Sequence, residues 1–223
     1  MTQTLLAAIE IETAAPPDAA VIFMHGLGDD GQGWSDIARS LPLAKGAAIR
    51  FIFPHAPVMP VSINNGMQMR AWYDIKAANL TDRADLAGVR RSQAHVEALV
   101  AREKVRGIAA WRIVIAGFSQ GGAIALYAGL RHTERLAGII ALSTYLIDGA
   151  GLAAEGSAAN RDVPVFMAHG LYDPVVQLAW TEASRDALVA QRYAVEWHSY
   201  PMQHSASLEE IADVGKFLAD VLG

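Results

Sequence analysis

The 223-residue sequence predicts a doubly wound α/β domain, a mostly parallel sheet with helices on both faces. Three observations predict it. Short β-branched apolar runs alternate with longer segments of helical periodicity. Those runs are apolar at successive positions, as strands covered on both faces must be. The last strand-like run instead alternates apolar with polar residues, as a strand near a sheet edge does. With 52% hydrophobic residues the chain can fill a three-layer core, so residues 1–223 are read as one domain.

Taken in order, residues 21–24, 50–53, 111–116, 138–141 and 163–167 are expected to be central parallel strands, and 193–198 a strand nearer an edge. Between them, Leu86, Val89, Val96 and Val100 trace one face of a helix over 83–104. Ser207 and Glu210 form a capping-box pattern that opens the last helix, with Ile211, Val214, Phe217 and Leu218 as its core face. The connection over 54–74 is long and strongly apolar. Within it Asn65-Gly66 is a type I′ turn signal, with Val61/Ile63 and Met67/Met69 alternating on two arms, so a hairpin or flap beside the active-site edge is expected. Trp72-Tyr73-Asp74 reads first as packing.

Charge and composition exclude several function classes. The net charge is −5 and no run of Lys or Arg occurs, which argues against a nucleic-acid partner or an anionic membrane surface. With no cysteine, the chain has no disulfide, thiolate nucleophile or thiolate metal ligand. Residues 1–6 carry neither a basic start nor a sustained apolar stretch, so neither a signal peptide nor stable membrane insertion is expected, and a cytoplasmic location is the default.

The chemistry is announced at Gly117-Phe118-Ser119-Gln120-Gly121, where a strand pattern stops and a helix pattern begins. This is the nucleophile-elbow pattern GxSxG: glycines at 117 and 121 permit a turn so tight that Ser119 Oγ stands clear of the sheet at a helix N-terminus. A glycine-rich turn with an incidental serine is the bland alternative. After the first strong strand comes His25-Gly26-Leu27-Gly28-Asp29, an HGxG loop in the position that supplies an oxyanion donor, here the N–H of Leu27 paired with that of Gln120. His25 has no HxH or HxxxH partner, so it is read as propping up the loop, with no metal expected.

A serine hydroxyl needs a base, and the base an orienting carboxylate. Of seven histidines, His204 lies in a loop between the final strand and the final helix and is the favoured base, with His198 and His169 the alternatives. Asp173 lies just past the strand ending at Met167, with Pro174 expected to start the next helix. It is the favoured carboxylate, while Asp148 and Asp162 are less well placed and a plain N-cap role for Asp173 stays open. Met67, Met69, Trp72 and Val176 are the residues expected to touch substrate, because flexible thioethers and rings suit an irregular apolar group.

Together, HGLGD, GFSQGG, Trp72-Tyr73-Asp74, His169-Gly170 through Asp173-Pro174-Val175-Val176, and His204 resemble the phospholipase/carboxylesterase family, which includes acyl-protein thioesterases. The resemblance spans nearly the whole chain, and Trp72-Tyr73-Asp74 with Asn64-Asn65-Gly66 is more similar to its bacterial carboxylesterase branch. It implies a small α/β-hydrolase without a large cap domain, acting without cofactors, with Ser119, Asp173 and His204 as triad and Leu27 and Gln120 as oxyanion donors. The expected activity is hydrolysis of short to medium-chain carboxylic esters with an apolar acyl group. An acyl thioesterase or lysophospholipase on the same triad is the alternative, and a noncatalytic binding protein on a hydrolase fold the more distant one.

Overall fold

The computed structural model describes residues 5–79 and 83–223; the first four residues of the N-terminal stretch lie outside them. The chain runs β1 (Ala8–Glu12), β2 (Ala19–Met24), α1 (Gly31–Ser35), α2 (Ile37–Ser40), β3 (Ile49–Pro54), β4 (Val58–Val61), β5 (Met67–Arg70) and α3 (Leu86–Val105). It continues through β6 (Ile113–Phe118), α4 (Gln120–Gly129), β7 (Gly138–Leu142), α5 (Gly149–Glu155), β8 (Val165–Gly170), α6 (Leu178–Ala190), β9 (Val195–Tyr200) and α7 (Leu208–Leu222).

The main sheet has the order β1-β3-β2-β6-β7-β8-β9, and every neighbouring pair is parallel except β1 and β3. This is the α/β-hydrolase arrangement, with no large cap domain among the described residues. Because side chains alternate along a strand, each strand feeds both layers. Ile22, Ile52, Ile115 and Met167 pack with Val96 and Leu99 of α3 and with Ile124 and Leu126 of α4. Val21, Phe51, Val114 and Phe166 pack on the opposite face with Ile37 of α2 and with Val214, Phe217 and Leu218 of α7. Each such buried aliphatic or aromatic side chain contributes about 1.5–3 kcal/mol. Every residue of α4 is buried, which is why the segment after the elbow is apolar on all sides.

Several expectations change in detail. Strand β1 was not anticipated; its Ile9 and Ile11 pack inward while Glu12 meets Arg50 of the neighbouring strand at 2.8 Å. Trp111 and Arg112 belong to a 3₁₀ turn, so β6 begins at Ile113 and ends at Phe118. Leu86, expected on the buried face of α3, is exposed: it is the first residue of the helix, and burial begins at Gly88 and Val89. Of the capping box at α7, Ser207 Oγ does accept the Glu210 N–H at 3.1 Å. Glu210 itself turns inward: it is fully buried, and neither carboxylate oxygen has a hydrogen bond of normal geometry.

The flap exists as the antiparallel pair β4 and β5, with Met59 opposite Met69 and Val61 opposite Met67. Its loop is longer than a two-residue turn. Ser62–Asn64 form a 3₁₀ turn, Asn65 and Gly66 follow with φ of 55° and 76°, and the Gly66 N–H closes on Val61 O at 2.9 Å, so Ile63 belongs to the loop and not to an arm. The hairpin is tied down at its loop end, where Ser62 donates through N and Oγ to the Asp74 carboxylate at 2.7 and 2.6 Å. Tyr73 beside it is fully buried.

Candidate active site

The elbow forms because β6 and α4 are packed too closely for any side chain at their junction. A Cβ on Gly117 would lie 2.3 Å from the Gly121 carbonyl carbon, and one on Gly121 would lie 2.2 Å from Met24 O. Ser119 is thereby forced to φ 53°, ψ −119°, a region that side chains avoid and functional residues occupy. Its backbone is held on both sides: its N–H donates to Leu142 O at 2.8 Å, and its carbonyl accepts from Thr144 Oγ1 at 2.6 Å.

The other two chemical groups come from the loops after β8 and β9. These loops are laced together by Leu171 N–H to Tyr200 O at 2.8 Å and Tyr172 N–H to Met202 O at 3.0 Å. The lacing brings Asp173 and His204 together: His204 Nδ1–H donates to Asp173 Oδ2 at 2.6 Å, and the Ser119 hydroxyl lies 3.0 Å from His204 Nε2. The Phe118 ring supports the imidazole with centroids 4.6 Å apart. Burial by itself would raise the Asp173 pKa, but the His204 ring N–H and the N–H groups of Val175 and Val176, at 2.8 and 2.9 Å, outweigh it. The carboxyl is held below its usual range and stays ionised. Asp173 Oδ1 takes those two N–H groups as a helix N-cap would, yet the chain turns on without a helix there, and α6 starts at Leu178 and not at Pro174.

The remaining candidates for base and carboxylate are elsewhere. His198 bonds Glu196 at 2.8 Å and stacks on Phe166. His169 is the penultimate residue of β8, buried, with Nε2 at 2.9 Å from Val176 O and Nδ1 at 2.9 Å from Thr181 Oγ1. Burial lowers its pKa. Asp148 caps α5 through the Gly151 N–H, and Asp162 pairs with Arg135.

The HGxG loop lies against the nucleophile: a Cβ on Gly26 would be 3.5 Å from Ser119 Cβ. The Leu27 N–H has no acceptor among the described residues, and the Gln120 N–H, first in α4, has none within its helix. His25 is buried in the neutral Nδ1–H form. That N–H donates to Gly26 O at 2.7 Å, Nε2 accepts from the Ala56 N–H at 3.1 Å, and burial lowers its pKa.

Of the residues expected to touch substrate, Met67 is 64% exposed and Met69 half-buried, whereas Trp72 and Val176 are only 2% and 1% exposed. Sequence reasoning missed two side chains near the nucleophile. The Gln120 amide spans to Trp72 and Tyr73, and Thr144 holds the Ser119 carbonyl. Neither leaves a local pattern, since each bond crosses at least 25 residues. Among the described residues no group of three His, Asp or Glu side chains is arranged to hold a metal, and no helix is long and apolar enough to cross a membrane.

A family profile described as Phospholipase/Carboxylesterase matches residues 7–222. Acyl-protein thioesterase 1 of Yarrowia lipolytica is 39% identical over 96% of each chain. Acyl-protein thioesterase 1 of Neurospora crassa is 42% identical over 95% of this chain and 90% of its own. Among solved structures, acyl-protein thioesterase 2 of Zea mays superposes with a TM-score of 0.85 at 31% identity, covering 97% of this chain and 99% of its own.

Proposed function

Because the chain belongs to the phospholipase/carboxylesterase family and is a serine hydrolase of the esterase and thioesterase type, we propose that it hydrolyses acyl thioesters, with oxygen esters as secondary substrates. The observation that carries the acyl-transfer reading is the unbroken line from Asp173 to His204 to Ser119, at 2.6 and 3.0 Å. The preference for a sulfur leaving group rests on the relatives, which are named acyl-protein thioesterases, and it favours the thioesterase alternative over the expected carboxylesterase for short to medium-chain esters.

Ser119 Oγ attacks the acyl carbonyl as His204 Nε2 takes its proton. Asp173, ionised and facing Nδ1–H, stabilises the imidazolium. The N–H groups of Leu27 and Gln120 hold the oxyanion, in a site where such donors are worth 10²–10³ or so in rate each. Collapse expels the thiolate, which takes the proton from Nε2; water then repeats the cycle on the acyl-serine and releases the acid. The apolar acyl group runs along the flap, where Met69 Sδ would lie 3.9 Å from a Cβ on Gly28 and Met67, Val58 and Ile63 form an exposed rim. No cofactor takes part, and residues 1–223 act as one domain.

The test is a matched series of acyl thiols and acyl alcohols from four to sixteen carbons. The thioester of each pair should show the higher kcat/KM, and the optimum should fall on an apolar chain. Oxygen esters favoured at every length would return the protein to the carboxylesterase reading.

A further inference from the structure

The two oxyanion donors come from segments 93 residues apart in sequence, the loop after β2 and the first residue of α4, and no covalent link sets their spacing. We propose that Trp72 is the positioning residue that sets it, acting as a strut between the Leu27 loop and the Gln120 helix start; the inference rests on the reading of those two N–H groups as the oxyanion hole. Three polar atoms of Trp72 are engaged. Its indole N–H donates to His25 O at 2.8 Å, two residues before Leu27. Its backbone N–H donates to Gln120 Oε1 at 2.8 Å, and the same amide's Nε2 donates to Tyr73 O at 2.7 Å. Its carbonyl accepts the Ser92 hydroxyl from α3, which fixes the strut to the body of the protein.

The two segments also touch directly. A Cβ on Gly121 would stand 2.2 Å from Met24 O and 2.5 Å from His25 O, so the carbonyl that the indole grips is one of two pressed against the first turn of α4. The His25 ring packs on the Trp72 ring with centroids 5.3 Å apart, and both its nitrogens are committed, one to Gly26 O and one to the Ala56 N–H. The loop bearing Leu27 therefore cannot rotate about His25 without breaking the indole bond. A Trp that served only as filler needs its ring buried; it has no need of hydrogen bonds to both donor-bearing segments. Such a strut matters because two N–H groups must converge on one oxygen at about 2.7–3.1 Å, and a displacement of an ångström costs roughly a hundredfold.

Trp72→Phe removes the indole N–H while keeping an aromatic ring, and Gln120→Met removes both amide bonds while keeping the backbone N–H. Each variant is measured for kcat and KM, for inhibition by an acyl trifluoromethyl ketone that forms an oxyanion on Ser119, and for binding of the corresponding ether, which has no carbonyl. We expect kcat to fall about 10- to 100-fold with KM within threefold, ketone affinity to fall in parallel and ether affinity to hold. Should Trp72→Phe fail to fold, Gln120→Met decides. Retained kcat, or equal loss of ketone and ether affinity, overturns the strut. Wild-type protein without esterase or thioesterase turnover would instead sink the reading of the site itself.

Discussion

Asp173 offers one carboxylate oxygen to two histidines: Oδ2 lies 2.6 Å from His204 Nδ1 and 3.5 Å from His169 Nε2. The two are not equivalent. His169 is fully buried, spends its Nε2–H on Val176 O, and is kept neutral by burial, so it braces the turn that aims Asp173 without approaching Ser119. His169→Ala should therefore lower kcat far less than Asp173→Asn, which leaves the imidazole misoriented or in the wrong tautomer and should cost on the order of 10⁴ in kcat. Equal losses in the two variants would contradict the assignment.

His204→Ala should be as inactive as Ser119→Ala, each losing on the order of 10⁴–10⁶ in kcat with the fold intact, while His198→Ala keeps most activity. A fluorophosphonate probe should label wild type once, and Ser119→Ala not at all. Labelling that persists in Ser119→Ala removes the nucleophile from the mechanism.

The pH dependence of stability should carry the signature of Glu210. Burial pushes its carboxyl up to about 8, and the nearby Ser207 N–H offsets only part of that. An unfolded glutamate titrates near ~4.3, so between that value and about 8 the folded chain holds a proton that the unfolded chain releases. Stability consequently falls as pH rises through this window and levels off above it. Glu210→Gln should flatten the dependence, raising Tm at pH 8.5 while changing it little at pH 4.5. Parallel melting curves across that range would show that Glu210 titrates normally.

If the flap guides the acyl chain, Met67→Ala and Met69→Ala together should flatten the gain in kcat/KM with chain length, since each methylene buried against the hairpin is worth up to ~0.8 kcal/mol. An unchanged chain-length profile would assign both methionines to packing.

The parts of this site that could be read from sequence are those whose chemistry fixes their place. Ser119 needs glycines at 117 and 121, and the partner groups follow strands, so Asp173 and His204 were legible from their loops. What was hidden depends on contacts between distant segments. Strand β1 is five residues long and offered only the alternation of Ile9 and Ile11 between Glu10 and Glu12. The start of α6 at Leu178 was hidden too: Asp173 and Pro174 form a local helix-start pattern, and Asp173 Oδ1 does take the Val175 and Val176 N–H groups, but the helix begins only four residues past Pro174. The enclosure of Glu210 was hidden as well: the capping-box pattern sets its reach toward the Ser207 N–H, which does act on its carboxyl, but nothing local says that the carboxyl is fully buried.

The positive φ of Ser119 also sets stability against activity. A left-handed serine costs the fold on the order of 1–3 kcal/mol, and glycine at the same position would recover much of it. Ser119→Gly should therefore return part of that cost as a higher Tm in a protein that has lost its nucleophile.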